Sequence, residues 1–391
     1  MVKRCQLLSM LLLVAVFCSA CGAASEVYTA FRESIPTVEN TYTEITDLNR
    51  DMLEAIERGD ADITFNIADT DEDALEHLGD MMSTFWGRPD TYTVNHTFEA
   101  IEDIVDGRAT DVRNVTATFK HSNNYYAYRA ITAGEAIPED MPHAQAVADA
   151  LPTVWREIEA GLPAGAGDYE TALAVHDWLV ANLTYDDGVG DLTDANGSYG
   201  ALIDRRSMCR GYAETFCLLL KCYSDIDAYE IVGDARQDAD GDWVGHAWNL
   251  VRIDGQWMQI DATFDDPEDN PDGVVLHFYF GQDDALMHAN HRWEESFYPE
   301  AAGEGFYYFR REGLFAEDED GFREIAERVL AEGDPTFFQV AVRAFTLDEE
   351  NSQFLFDIGT EKKMLELYWS EQVYEDVHVL TIEPKYEDLA A

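Results

Sequence analysis

The spacing of apolar positions changes several times along this 391-residue chain, and each change marks an element. Ile45, Leu48, Met52, Leu53 and Ile56 fall three and four apart, which predicts a helix over residues 40–59. A strand follows over 62–67, and a second helix over 71–86 stops near Gly87 and Pro89. Alternation over 91–98 and 112–119 predicts two more strands. These elements make a small α+β domain, assigned to 25–140, in which no stretch carries recognisable chemistry.

A helix over 144–160 leads into a Gly-, Ala- and Pro-rich break at 161–167. Asp168 is then placed to cap a helix over 169–183, whose stripe includes Leu173, Val175, Trp178 and Leu179. Beyond residue 305 the pattern predicts a strand over 306–310, a helix over 318–330 and a strand over 337–345. A helical stretch over 349–369 and a strand over 377–382 follow. The C-terminal domain, 301–391, thus repeats the helix, Gly-Asp, strand order of residues 45–98. Gly333-Asp334 stands where Gly59-Asp60 stands in the first copy, the pattern of a distant duplication.

Between these flanks, 246–253 and 256–263 read as two strands joined by Asp254-Gly255, a pair that tolerates the positive φ of a tight hairpin turn. That turn sets Ile253 opposite Gln256, and so His246 opposite Thr263 and Trp248 opposite Asp261. His246, Trp248, Leu250 and Arg252 share a face with Trp257, Gln259, Asp261 and Thr263. The other face holds Ala247, Val251, Ile253, Met258, Ile260 and Ala262, a core face broken by Asn249 and Gln256. His246 and Asp261 become diagonal neighbours with Cα atoms about 7–8 Å apart. A carboxylate there fixes an imidazole tautomer and stabilises the imidazolium.

A nucleophile for that pair stands at Ser207-Met208-Cys209-Arg210-Gly211-Tyr212-Ala213-Glu214, where a polar turn runs into the apolar Phe216-Cys217-Leu218-Leu219-Leu220. Cys209 falls at a helix start, where the dipole and free N–H groups favour thiolate, and Arg210 adds a nearby positive charge. Cys217 and Cys222 read as core residues.

Three motifs in order closely resemble the bacterial transglutaminase-like domain, a relative of the papain-like thiol enzymes. They are Cys209-Arg210-Gly211-Tyr212-Ala213-Glu214, His246-Ala247-Trp248-Asn249 and Asp261-Ala262-Thr263-Phe264-Asp265-Asp266-Pro267. His176-Asp177-Trp178-Leu179, Tyr199-Gly200-Ala201-Leu202 and His277-Phe278-Tyr279-Phe280, with His288 and His291, extend the likeness over 169–293. The resemblance implies an α+β fold in which a Cys-bearing helix packs on an antiparallel sheet, here assigned to 141–300. It implies Cys209 as nucleophile, His246 as general base and acid, and Asp261 as its orienter. It also makes Tyr199 a candidate oxyanion donor and Trp248 a cleft-lining residue. The expected chemistry is acyl transfer from an amide or peptide through a Cys209 thioester, resolved by water or by an amine. The competing reading is a silent envelope module that keeps the fold for binding.

Composition narrows the setting. The formal net charge is −52, from 78 Asp+Glu against 26 Lys+Arg, which disfavours nucleic acid as a partner. Lys3 and Arg4 precede an apolar run over 7–17, and Cys18-Ser19-Ala20-Cys21-Gly22 resembles the bacterial lipoprotein box, with Cys18 where that pattern has leucine. Residues 1–21 therefore read as a lipoprotein signal, with ordinary secretion as the alternative. Cys21 is the expected lipidation site, and the expected location is the outer face of a bacterial membrane, with peptide, protein or envelope material as substrate. No cofactor is expected. His277, His288 and His291 lack a further ligand set and read as structural or cleft-lining, so no metal is expected. His176 reads as a buried, hydrogen-bonded residue. Asp238-Ala239-Asp240-Gly241-Asp242 and 265–272 lack the full spacing of a calcium loop.

Overall fold

The computed structural model describes residues 41–43, 47, 48, 50–52, 54, 62–68, 92–98, 102–105, 108–189, 194–237, 241–266, 274–358, 363–374 and 376–387. The signal with Cys21, the 71–86 helix and Gly59-Asp60 lie outside the described residues.

Described residues 41–68 and 93–120 belong to one compact unit, and those from His121 onward to another. In the first, β1 (Thr41–Tyr42) runs parallel to β2 (Asp62–Ala68), which pairs antiparallel with β5 (Arg108–His121). The strand order is β1-β2-β5-β3, with β3 at Tyr92–Phe98 and β4 (Glu102–Val105) also on β5. Leu48 and Met52, both from the predicted stripe, are helical and fully buried.

The second unit opens with α1 (Asn123–Ala133), capped by the Ser122 hydroxyl, which accepts from the Tyr125 N–H, and closed by Gly134 in the left-handed region. Ala127 on α1 joins the core of α2 (Pro142–Gly161). The compact units divide at 120/121, and α1 buries its face against α2. Next comes α3 (Asp168–Asn182). Asp168 was expected to cap it, yet Gly167 is the cap and Glu170 accepts the Gly167 N–H at 2.9 Å. The Asp168 carboxylate instead accepts the Asp254 N–H at 3.3 Å. That contact pins the helix start to the hairpin turn.

Short strands β6 (Thr184–Tyr185) and β7 (Arg206–Ser207) lead to α4 (Cys209–Tyr223). Behind α4 lies an antiparallel sheet, β11-β10-β9-β8-β12, of β8 (Ala228–Ala235), β9 (Val244–Ile253), β10 (Gln256–Ile260), β11 (Phe280–Gln282) and β12 (His291–Arg292). The β9–β10 register is the expected one, from Gln256 on Ile253 to Ile260 on Asn249, and Asp254 and Gly255 both have positive φ. Val251, Ile253, Met258, Ile260 and Ala262 enter the same core as Phe216 and Leu220 of α4. Asn249 does not interrupt that face. Its amide donates to the Ala213 carbonyl at 3.0 Å and to Cys217 Sγ at 3.2 Å, tying α4 to β9.

In the C-terminal region β13 (Phe315–Ala316), α5 (Glu319–Glu332), β14 (Phe338–Arg343), β15 (Met364–Tyr374) and β16 (Val377–Tyr386) form a sheet of order β13-β14-β16-β15. Its first pair is parallel and its second antiparallel, as in the N-terminal unit, so the likeness between the two flanks extends to strand order. Two expectations fail here. Residues 306–310 are not a strand: Tyr307–Arg311 is a short helix, because aromatic residues with strand propensity bury on several sides rather than alternately. The helical stretch over 349–369 reduces to Gln353–Asp357, and Met364–Tyr374 pairs along β16. Pairing there outweighs the helix propensity of Leu, Glu and Lys. This sheet shares a core with the central one, since Ala341, Val377 and Val379 cluster with Trp248 and Phe278. The 301–391 segment thus packs within the same compact unit.

Candidate active site

Cys209 is the first residue of α4, after Met208 in extended conformation. The helix start is pressed against the preceding loop, and a Cβ on Gly211 would stand 2.0 Å from Ser207 Oγ. Glu214, buried one turn on, holds the surroundings in place. Its carboxylate accepts from Arg210 Nε at 2.7 Å, Asn124 Nδ2 at 3.0 Å and the Ser198 N–H at 3.0 Å. Arg210 is thus committed to Glu214. The expectation that it serves the thiol is replaced by a different partner.

That partner is His246. Its Nε2 lies 2.7 Å from Asp261 Oδ2, and its ring hydrogen-bonds the Cys209 thiol, which also meets the Ala247 backbone. β10 ends at Ile260, so Asp261 leaves the ladder and turns back toward the imidazole. Its Oδ1 accepts the Thr263 and Phe264 N–H groups at 3.0 Å each, and its own N–H donates to the Tyr279 carbonyl. The structure thus brings Cys209, His246 and Asp261 together.

Burial pushes the Cys209 thiol up, but the charge and hydrogen bond of His246 and the Ala247 backbone outweigh it and hold the thiol below its ordinary value. Burial pushes His246 down, while Asp261 and Cys209 raise it to about 10. Burial works against the Asp261 carboxylate too, yet His246 and His291 hold it well below the usual range. The arrangement is a thiol beside an imidazole that is itself backed by a carboxylate. By contrast, burial alone pushes Cys222 up to about 12, and burial chiefly pushes Cys217 well above its ordinary value.

His291, read from the sequence as structural or cleft-lining, supports the site in a way that the pattern did not show. Fully buried on β12, it places Nε2 3.0 Å from the same Asp261 oxygen. β12 pairs with the far edge of β8, two strands from β10, so its approach to Asp261 is visible only in the assembled sheet. Gly233 permits it, because a Cβ there would stand 2.2 Å from the Arg292 carbonyl oxygen. From His291 a polar chain runs through Asn290 (2.7 Å) and the Tyr279 hydroxyl (2.7 Å) to the Tyr374 hydroxyl (3.1 Å) on β15.

Trp248 does not line an opening; it is 1% exposed, stacks on His246 and donates to Gln259 Oε1 at 2.8 Å. Tyr199 packs on the His143 ring, centroids 4.2 Å apart. His277, His288 and His291 do not form one group. His288 stacks on Trp293 and pairs with Glu295, while His277 joins His176.

That second cluster repeats the first. Asp177 Oδ1 lies 3.0 Å from His176 Nδ1 and 2.9 Å from His277 Nε2, so one carboxylate oxygen again serves two imidazoles. The other nitrogen of His176 faces Asp265 Oδ2 at 3.1 Å, and Asp265 accepts the Tyr279 N–H. Burial pushes His176 down, but its two carboxylates win and raise it to about 9.

Residues 156–262 match the transglutaminase-like superfamily. The span contains Cys209, His246 and Asp261, and the α+β core is transglutaminase-like. Among solved structures, a TGase is similar over 51% of this chain and 50% of its own, at 16% identity and a TM-score of 0.26. A candidate cysteine protease from Cytophaga hutchinsonii is similar over 47% of this chain and 68% of its own, at 18% identity and a TM-score of 0.26. A candidate protease from Parabacteroides distasonis is similar over 83% and 66%, at 10% identity and a TM-score of 0.19. The chain thus spans half the length of the TGase it resembles. No curated protein matches it.

Proposed function

We propose that the chain is a thiol enzyme acting on amide or peptide bonds through a Cys209 acyl-thioester. The observation that supports this most is the contact of Cys209, at a helix start, with an imidazole held by buried Asp261. The Cys209 thiolate attacks the amide carbonyl carbon, and the oxyanion is met by the Cys209 backbone N–H at the helix N-terminus. His246 gives its proton to the leaving nitrogen as the C–N bond breaks, and the thioester remains. His246 then takes a proton from water or an amine, which attacks the thioester and releases the thiolate. With water the outcome is hydrolysis; with an amine it is cross-linking.

Cys209 is only 8% exposed, which favours a second reading, a silent binding module whose thiol is covered. Iodoacetamide separates the two. An active thiol makes Cys209 alkylate at neutral pH at least about tenfold faster than Cys217 and slow down in His246→Ala. Equal rates for Cys209 and Cys217, unaltered in His246→Ala, would sink the enzyme reading.

The N-terminal pattern extends the proposal to location, with export and acylation at Cys21 tethering an acidic domain that membrane charge would otherwise repel. Labelled fatty acid should enter the wild type and not Cys21→Ala; equal labelling refutes the anchor.

A further inference from the structure

We propose that His176, Asp177 and His277 hold a divalent transition-metal ion, for which Zn2+ is the natural probe. Their ligand atoms all lie within 4.8 Å of one another. Tetrahedral ligation at about 2.0–2.1 Å sets ligand atoms about 3.3–3.4 Å apart. The present separations of 3.0 and 2.9 Å from the Asp177 oxygen need to open by only a few tenths of an ångström.

The surroundings support a ligand role beyond simple proximity. A metal-ligating histidine needs its far nitrogen held by an acceptor, which fixes ring orientation and raises basicity. His176 has one in Asp265, a fully buried carboxylate itself fixed by the Tyr279 N–H. The His277 ring is fixed by stacking on Tyr308, centroids 4.0 Å apart. The Asp177 and Asp265 carboxylates beside the two imidazoles supply the two negative charges that match a divalent ion. There is also a way in, because the Asp177 side chain is 40% exposed.

The His246, Asp261 and His291 group also converges, but every member is buried and the free face of His246 is taken by Cys209. Mixed nitrogen and oxygen donors without thiolate suit zinc, nickel or cobalt rather than calcium. The ion would clamp α3 to the segment carrying Tyr279, whose carbonyl accepts the Asp261 N–H. The predicted role is to stiffen the support of the proposed active site.

The test is calorimetric titration of the full chain with Zn2+, and of its Co2+ form by d–d absorption, in a Cys209→Ala background that removes the competing thiol. The expected result is one equivalent with a dissociation constant no weaker than about 1 μM. Asp265→Asn should weaken binding about 10–100-fold, and Asp177→Asn or His277→Gln by more than that. Asp177 is partly exposed, so Asp177→Asn decides the matter even if His277→Gln fails to fold; circular dichroism of each metal-free variant checks folding. Absence of a stoichiometric site, or binding of equal strength in Asp177→Asn, would overturn the assignment.

Discussion

The two His–Asp–His clusters share one motif and differ in what each histidine meets on its far side. Asp261 Oδ2 bonds His246 and His291, and Asp177 Oδ1 bonds His176 and His277, all at 2.7–3.0 Å. In the first, the outer side of His246 meets a thiol at a helix start; in the second, the outer nitrogen of His176 meets the Asp265 carboxylate. A thiol beside an imidazolium can become a nucleophile. A second carboxylate instead favours a cation beside it, whether a proton or a metal. On the proposed readings, the same three residue types would support chemistry in one place and binding in the other, with the fourth group deciding which.

The largest expected effect tests that division. Asp261→Asn keeps the shape of the site but withdraws the charge that stabilises the His246 imidazolium, so turnover per folded molecule should fall about 10^4-fold. Asp265→Ala removes the corresponding carboxylate from the other cluster, leaving His176 and the Tyr279 N–H short of a partner. Its main cost should be stability, about 3–5 kcal/mol in chemical denaturation. Cys209 alkylation should slow far less than in Asp261→Asn. If both variants lose alkylation to the same extent, the clusters are one catalytic unit and the contrast fails.

Half of this comparison could be read from the chain itself. An Asp254-Gly255 turn sets register locally, and the observed ladder has that register as far as Ile260 opposite Asn249; Asp261 lies beyond its end and reaches His246 by turning out of the strand. Cys209 was legible because a polar turn running into an apolar run marks a helix start. His291 was not, since its place depends on β12 docking at a sheet edge remote in sequence. The His176–Asp177–His277 grouping failed for a related reason. Helix α3 and the 274–280 segment lie about a hundred positions apart, and local pattern says nothing of their meeting. The C-terminal errors came from the opposite cause, local propensity overridden by pairing along β16.

The smallest effect concerns His291, argued here as a residue that positions Asp261 rather than one that touches substrate. Burial holds His291 below its ordinary value, and its Nε2 donates to Asp261 Oδ2 at 3.0 Å. His291→Phe keeps a ring against Trp248 and Phe264 but deletes the donor. A hydrogen bond to a charged group contributes about 1.5–3 kcal/mol, so kcat should fall about 10–100-fold with KM little altered, and His291→Gln should restore part of it. Acid unfolding supplies a readout that packing alone would not move. Asp261 is depressed, so its stabilisation is present above about 3.9 and is lost as pH falls through the lower folded value. Removing a donor lessens the depression, and the acid midpoint should therefore shift to higher pH. His246 has the opposite sign: raised to about 10, it stabilises fully below about 6.5 and loses that contribution as pH rises through about 10. The alkaline limb should persist in His291→Phe, because Asp261 and Cys209 still face His246. An acid midpoint that stays fixed while kcat falls would assign His291 to packing alone.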